Sequence, residues 1–106
     1  MLSADDRRVA LRFRHRLEQV TPVLDMRVYG SRARGDATPE SDMDIFIEVD
    51  RITSSMREQI SILAWEVGFE SDRVISTLVA TRDQLEQGAM GANPIVRQIE
   101  REGIRV

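Results

Sequence analysis

Two carboxylates one residue apart, Asp42 and Asp44, stand directly before the apolar run Ile45, Phe46, Ile47. Side chains on a strand alternate faces, so Asp42 and Asp44 point one way while Met43, Ile45 and Ile47 point into a core. Their α-carbons should be about 6.6 Å apart, and tilted side chains can serve cations spaced roughly 3.5 to 4 Å apart. Only positive charge relieves the repulsion between them. Magnesium is the natural candidate, since it favours carboxylate oxygen, water and substrate phosphate in octahedral geometry. Calcium fits less well, because the spacing lacks the glycine and distal glutamate of an EF-hand loop.

Upstream of the pair, Gly30 and Gly35 permit tight backbone approach, and a turn starting at Ser31 can aim N–H groups and the Ser31 hydroxyl at phosphate oxygens. Arg34 or Arg32 can add charge-assisted bonds to the same phosphates. Together these parts suit a nucleoside triphosphate held with its metal ions. The matching chemistry is phosphoryl or nucleotidyl transfer, in which positioning and charge neutralisation do most of the work.

The elements that must hold this segment are legible from periodicity. Ser3, with Asp5 and Asp6 behind it, predicts a helix start. Val9, Phe13, Leu17 and Val20 then form an apolar stripe among arginines, ended by Pro22. Met26 to Tyr29 reads as a short strand stopped by Gly30, Ser31 to Ser41 as a turn or short helix, and Asp42 to Val49 as a strand. Thr53 or Ser54 caps the next helix, which runs to about Gly68, with Gly68 suited to a left-handed terminus. That helix is apolar on two faces. Met56, Ile60, Leu63 and Val67 form one stripe; Ile62, Trp65 and Phe69 form another nearly opposite. The expected cover is the sheet on one side and the N-terminal helix on the other, with Trp65 in the core; the alternative is a partner interface. Arg73 to Ala80 reads as a third strand, Thr81 to Gln84 as a capping box opening a short helix that ends at Gly88, and Pro94 to Glu102 as a last helix before Ile104 and Val106. The expected fold class is α+β: a small mixed sheet of about three or four strands with helices packed mainly on one side.

Composition bounds the function. The chain has 106 residues, 42% of them hydrophobic, which predicts one domain spanning 1–106 with one core. A formal charge of -3 argues against direct nucleic-acid binding by this chain alone. There is no cysteine for a disulfide or thiolate site, the N-terminal residues are charged, and no stretch nears the roughly 20 apolar residues that span a bilayer, so a cytoplasmic protein is expected. His15, the single histidine, lies among arginines on the polar side of the first helix and reads as a surface residue.

Gly30, Ser31, Ala33, Arg34, Gly35, Ser41, Asp42 and Asp44 together resemble the pattern of the minimal nucleotidyltransferase domain of the DNA polymerase beta-like superfamily. The likeness extends to the strand Ile75, Ser76, Thr77, Leu78, Val79, to the Thr81 helix, and to Arg101, Glu102, Gly103, Ile104. It implies a nucleotidyltransferase fold in which Asp42 and Asp44 bind magnesium, in two ions. It also implies that Gly30, Ser31, Arg34, Gly35 and Ser41 hold the triphosphate, and that AMP is taken from ATP. Small stand-alone members act as the antitoxin of a pair with a helical HEPN-domain RNase toxin, modifying a tyrosine on it with AMP, an arrangement similar to type VII toxin–antitoxin systems. Such a toxin is the implied partner, with oligomerisation left open.

One departure stands out. Active members carry a third carboxylate on the third strand, at a place that aligns near Val74. Asp72 has the same parity but sits about 6.6 Å earlier along the strand, too far for a magnesium–oxygen bond of about 2.1 Å. Asp72 therefore completes a catalytic set with Asp42 and Asp44 only if the register slips or bulges. Glu48 shares the face of Asp44 about 13 Å along it and reads as a solvated edge residue. Two functions compete on these grounds: a magnesium-dependent enzyme moving AMP onto a protein, and a catalytically impaired module that neutralises a partner by binding. A split transferase whose second half is another chain is a weaker third.

Overall fold

A computed structural model describes residues 2–106. Helix α1 (Ala4–Leu17) begins where the Ser3 hydroxyl accepts from the Asp6 N–H, capping one of its orphan first-turn donors. It stops three residues short of Val20, in a turn. Strand β1 (Asp25–Tyr29) leads through Gly30 into a single-turn helix α2 (Ser31–Arg34). Strand β2 is Met43–Val49 and helix α3 is Ser54–Glu70, capped by Thr53. Strand β3 (Ile75–Thr81) runs into helix α4 (Arg82–Gln87), where Thr81 and Gln84 form the reciprocal capping box the spacing predicts. After a 3₁₀ turn over Ala89–Ala92, helix α5 (Pro94–Glu102) opens with Pro94 and the Asn93 side chain at its N-terminus, and strand β4 (Ile104–Arg105) follows.

The four strands form one mixed sheet in the order β3-β2-β1-β4. β1 pairs antiparallel with β2 and β4, while β2 pairs parallel with β3. A parallel neighbour needs a long crossover, and α3 supplies it. The inward set of β2 is the one the alternation predicts: Met43, Ile45, Ile47 and Val49 are fully buried, together with Met26 and Val28 of β1. They pack with Phe13 and Leu17 of α1 and Ile60, Ala64 and Val67 of α3 in the main core. The opposite face is partly covered by a smaller cluster in which Phe46 meets Ala80, Ile99, Leu85 and Met90. Two long helices thus occupy one face, and the short C-terminal elements shield the middle of the other. No helix among the described residues is long and apolar enough to cross a membrane.

Two expectations for α3 are corrected. Gly68 does not end the helix in a left-handed turn; it lies inside it, and a β-carbon there would sit 2.5 Å from the Arg73 carbonyl oxygen. Close passage of the chain into β3 is what excludes a side chain, and the left-handed residue is Asp72, at φ 56°. The second apolar stripe is not covered by α1. Trp65 is 68% exposed and Phe69 75%, so neither belongs to the core, and their rings stack with centroids 5.4 Å apart. The reason lies in how α1 meets α3. Arg16 grips the Glu70 carboxylate with two bonds of 2.9 and 2.7 Å, and Arg12 donates to Ser71, on the side away from Trp65.

Arg16 holds the Glu70 carboxyl below its ordinary range, by hydrogen bonding first and by charge second. A depressed carboxyl lends stability above its unfolded pKa and loses it as pH falls through the folded value. Glu70→Gln is therefore expected to lower Tm slightly at pH 7, with the wild-type advantage shrinking as pH is lowered, read by circular dichroism melts; a difference that does not shrink with falling pH would assign the effect to packing.

Candidate active site

β1 ends and β2 begins side by side, and this places Tyr29 directly across from Asp44. The parallel register on the other side pairs Asp44 with Ser76. Cross-strand partners share a face, so Asp44 sits between a phenol and a hydroxyl. Asp42 precedes the first residue of the strand, whose backbone N–H donates to the Val74 carbonyl at 2.8 Å. With Met43 buried between them, the two acids face the same side; Asp42 is exposed and Asp44 half-buried.

Gly30 closes the site from below. Its backbone lies at φ 74° and ψ -152°, a region open essentially to glycine alone. A β-carbon there would stand 2.5 Å from Asp44 Oδ2. The backbone of Gly30 thus presses against the carboxylate, and α2 begins at the next residue. At the end of α2, Gly35 takes the left-handed conformation, φ 86°, and the Ser31 carbonyl accepts from the N–H groups of Gly35 and Asp36. Gly30→Ala is expected to cost about 1–3 kcal/mol of stability from backbone strain and to displace Asp44 as well. Denaturant titration reads the first effect and loss of Mn²⁺ affinity the second; retention of both would refute the close approach.

Neither Asp42 nor Asp44 takes part in a side-chain hydrogen bond or ion pair among the described residues. Burial raises the Asp44 pKa first, and the negative charge of Asp42 raises it further, while Arg34 acts in the opposite direction. The Tyr29 phenol is also pushed up, by burial and then by Asp44. A half-buried carboxylate beside a second one, with no basic group bonded to either, is an arrangement that a divalent cation would complete. The donor set therefore fits magnesium: two carboxylates with no other partner, the remaining positions to be filled by water and phosphate oxygen.

The other predicted residues separate into two groups. Ser31 stands at the start of α2 beside Gly30, and Arg34 at its end is exposed, donating to Glu102 at 3.0 Å and to Asp36 at 3.4 Å. Both remain next to the acid pair in the fold. Ser41 is structural in this state, because its hydroxyl accepts from the Thr38 N–H at 2.9 Å and closes the 38–41 turn. Arg32 is withdrawn from any phosphate role. It is 7% exposed, pairs with Asp6 at 2.9 Å, and donates to the carbonyls of Pro39 and Ser41. Arg73 also bonds Asp6, at 3.1 Å, and Asp5. This buried cluster ties α1, the loop before β2 and the entry to β3 together, immediately behind Asp42.

Asp72 does not join the pair. The β2–β3 register is regular from Met43–Ile75 to Val49–Thr81, so no slip or bulge carries it forward, and it remains exposed in the turn after α3. No group of three or more His, Asp or Glu side chains suited to a metal ion exists among the described residues. Glu48 is not simply solvated, since Arg82 donates to it at 2.7 Å. His15 is exposed, as expected. Tyr29 and Ser76 were invisible to motif spacing; only the pairing of strands distant in sequence brings them beside Asp44.

A family model described as nucleotidyltransferase domain matches residues 8–106. No curated protein matches the chain significantly.

Proposed function

This chain belongs to the nucleotidyltransferase domain family, and from that membership we propose that it binds ATP with magnesium and transfers AMP to a hydroxyl on a partner protein. Membership makes it a transferase in general terms. The observation that carries the finer reading is the unpartnered, mutually repelling pair Asp42 and Asp44, with Asp44 raised by burial and pressed against the Gly30 backbone. Magnesium bound there would neutralise phosphate charge and hold the triphosphate for in-line attack. Asp42 and Asp44 are the residues that would hold it. Ser31 and the α2 turn would orient the phosphates, and Arg34 would exchange a carboxylate partner for a phosphate oxygen. In the transfer, the acceptor oxygen forms a bond to the α-phosphorus, the α–β bridging P–O bond breaks, pyrophosphate departs, and the hydroxyl proton passes to solvent.

On this reading the acceptor is a tyrosine of a helical HEPN-type toxin, and the chain is its antitoxin in a type VII-like pair. The test is incubation with magnesium, α-labelled ATP and the helical protein encoded beside it. Label should appear on the partner. Its absence, while a proven relative transfers label in parallel, overturns the proposal.

A second reading is favoured by one specific observation: the place near Val74 holds no acid, and Ser76 rather than a carboxylate faces Asp44. On it, the domain neutralises its partner by binding alone. The double variant Asp42→Asn with Asp44→Asn would then still neutralise the partner, and loss of neutralisation rules this reading out.

A further inference from the structure

α3, the turn around Asp72 and the loop before β2 enclose an open groove of about 900 Å³ whose lining includes Ser41, the residue before Asp42. Ala64, Trp65, Phe69 and Val74 give it apolar lining. Trp65, Phe69 and Val74 are 68%, 75% and 63% exposed, and the two rings are already stacked, 16° from parallel. Large side chains left in water at one place mark an interaction surface, and a pre-stacked aromatic pair loses little freedom when covered.

Charge decides what covers it. The charged residues lining the groove are Glu40, Asp72 and Arg73. Arg73 is 13% exposed and committed to Asp5 and Asp6. Glu40 and Asp72 have no hydrogen bond or ion pair through their side chains among the described residues, and Asp42, next in sequence to the lining residue Ser41, has none either. The charge free to meet a ligand is therefore negative. A nucleotide or nucleic acid stacking on Trp65 would bring its phosphates against these acids. A peptide carrying arginine or lysine beside an apolar or aromatic side chain would meet complementary charge at Glu40 and Asp72 and a cation–π face at Trp65.

We infer that this groove docks a basic, apolar-anchored segment of a partner protein, leading it toward Asp42. The link to transfer rests on the proposed reaction; the docking itself does not.

Trp65 is the sole tryptophan, so its emission reports the groove directly. The probe is a tryptophan-free, amidated 12-residue peptide of arginine and leucine with a central phenylalanine, set against the same peptide with glutamate for arginine. The arginine peptide should blue-shift Trp65 emission saturably and bind at least about tenfold tighter than its glutamate counterpart. Phe69→Ser should weaken it about tenfold, and Glu40→Gln with Asp72→Asn severalfold, with far-UV circular dichroism unchanged in both. Equal binding of the two peptides, or no shift with either, overturns the inference. So does a Trp65 shift produced by MgATP and lost in Phe69→Ser, which would make the groove a base platform. A shift that grows with protein concentration alone, alongside a doubled mass, would assign the face to a second copy and also overturn it. The two proposals fail separately. Label transfer without a peptide-induced shift removes the groove, whereas a peptide-induced shift without label transfer removes the enzyme.

Discussion

Asp44→Asn is expected to lower nucleotide transfer by at least about 10³-fold, roughly 4 kcal/mol of transition-state stabilisation, while raising Tm in the absence of magnesium. The two effects have one cause. Burial and the neighbouring Asp42 raise the Asp44 pKa, so the folded chain keeps this proton to higher pH than the unfolded chain does. By linkage, stability falls as pH rises from the unfolded value to the folded one, and the penalty is complete only above the folded value. Asparagine keeps the shape and removes the charge, so the penalty disappears along with the cation ligand. Added magnesium should reverse the order, stabilising the wild type as RT ln(1 + [Mg²⁺]/Kd) and leaving the variant unmoved. Differential scanning calorimetry with and without EDTA reads the stability arm, and labelled ATP reads the activity arm. A variant that keeps transfer within tenfold of wild type, or that melts lower without metal, refutes the role given to Asp44.

The largest stability effect is expected far from those acids in sequence. Asp6→Ala removes the carboxylate that Arg32 and Arg73 share. Arg73 keeps Asp5, but Arg32, at 7% exposure, keeps only carbonyl acceptors. Stripping one partner from a buried ion pair costs about 3–5 kcal/mol because a charge is left uncompensated. For a chain of this size that corresponds to a Tm drop on the order of 15 °C or more. Arg32→Ala should cost less, since Arg73 still neutralises Asp6. Urea denaturation of both variants tests the ordering. Equal losses would show that the carbonyl contacts, rather than the charge, dominate.

What could be seen in the sequence is the part governed by local period and local chemistry. Alternation placed Met43, Ile45 and Ile47 inward, and capping chemistry placed Ser3, Thr53, Thr81 and Pro94 at helix starts. The Gly30–Asp44 window was legible for the same reason: a backbone turn and an i, i+2 carboxylate pair are short-range facts. What depended on distant pairing was not. Trp65 belongs to a stripe as apolar as any core stripe, and nothing local states that α1 docks on the other side of α3 through Arg16 and Glu70. Arg32 and Arg34 differ by two positions in one motif. Only the arrival of Asp6, 26 residues away, turns Arg32 inward, while Arg34 stays exposed.

That same cluster has a consequence for the order of folding. Asp6, Arg32 and Arg73 come from three segments, with sequence separations of 26 and 67 residues. Closing such long loops costs entropy before any contact repays it. During synthesis, Asp42 and Asp44 emerge from the ribosome well before Arg73 can complete the cluster behind them. Until then the loop holding them is tied only through Arg32 to Asp6 and to the Pro39 and Ser41 carbonyls, and Asp44 has no β3 strand beside it. The burial of Asp44, which sharpens their repulsion and with it the demand for a cation, belongs to the finished fold.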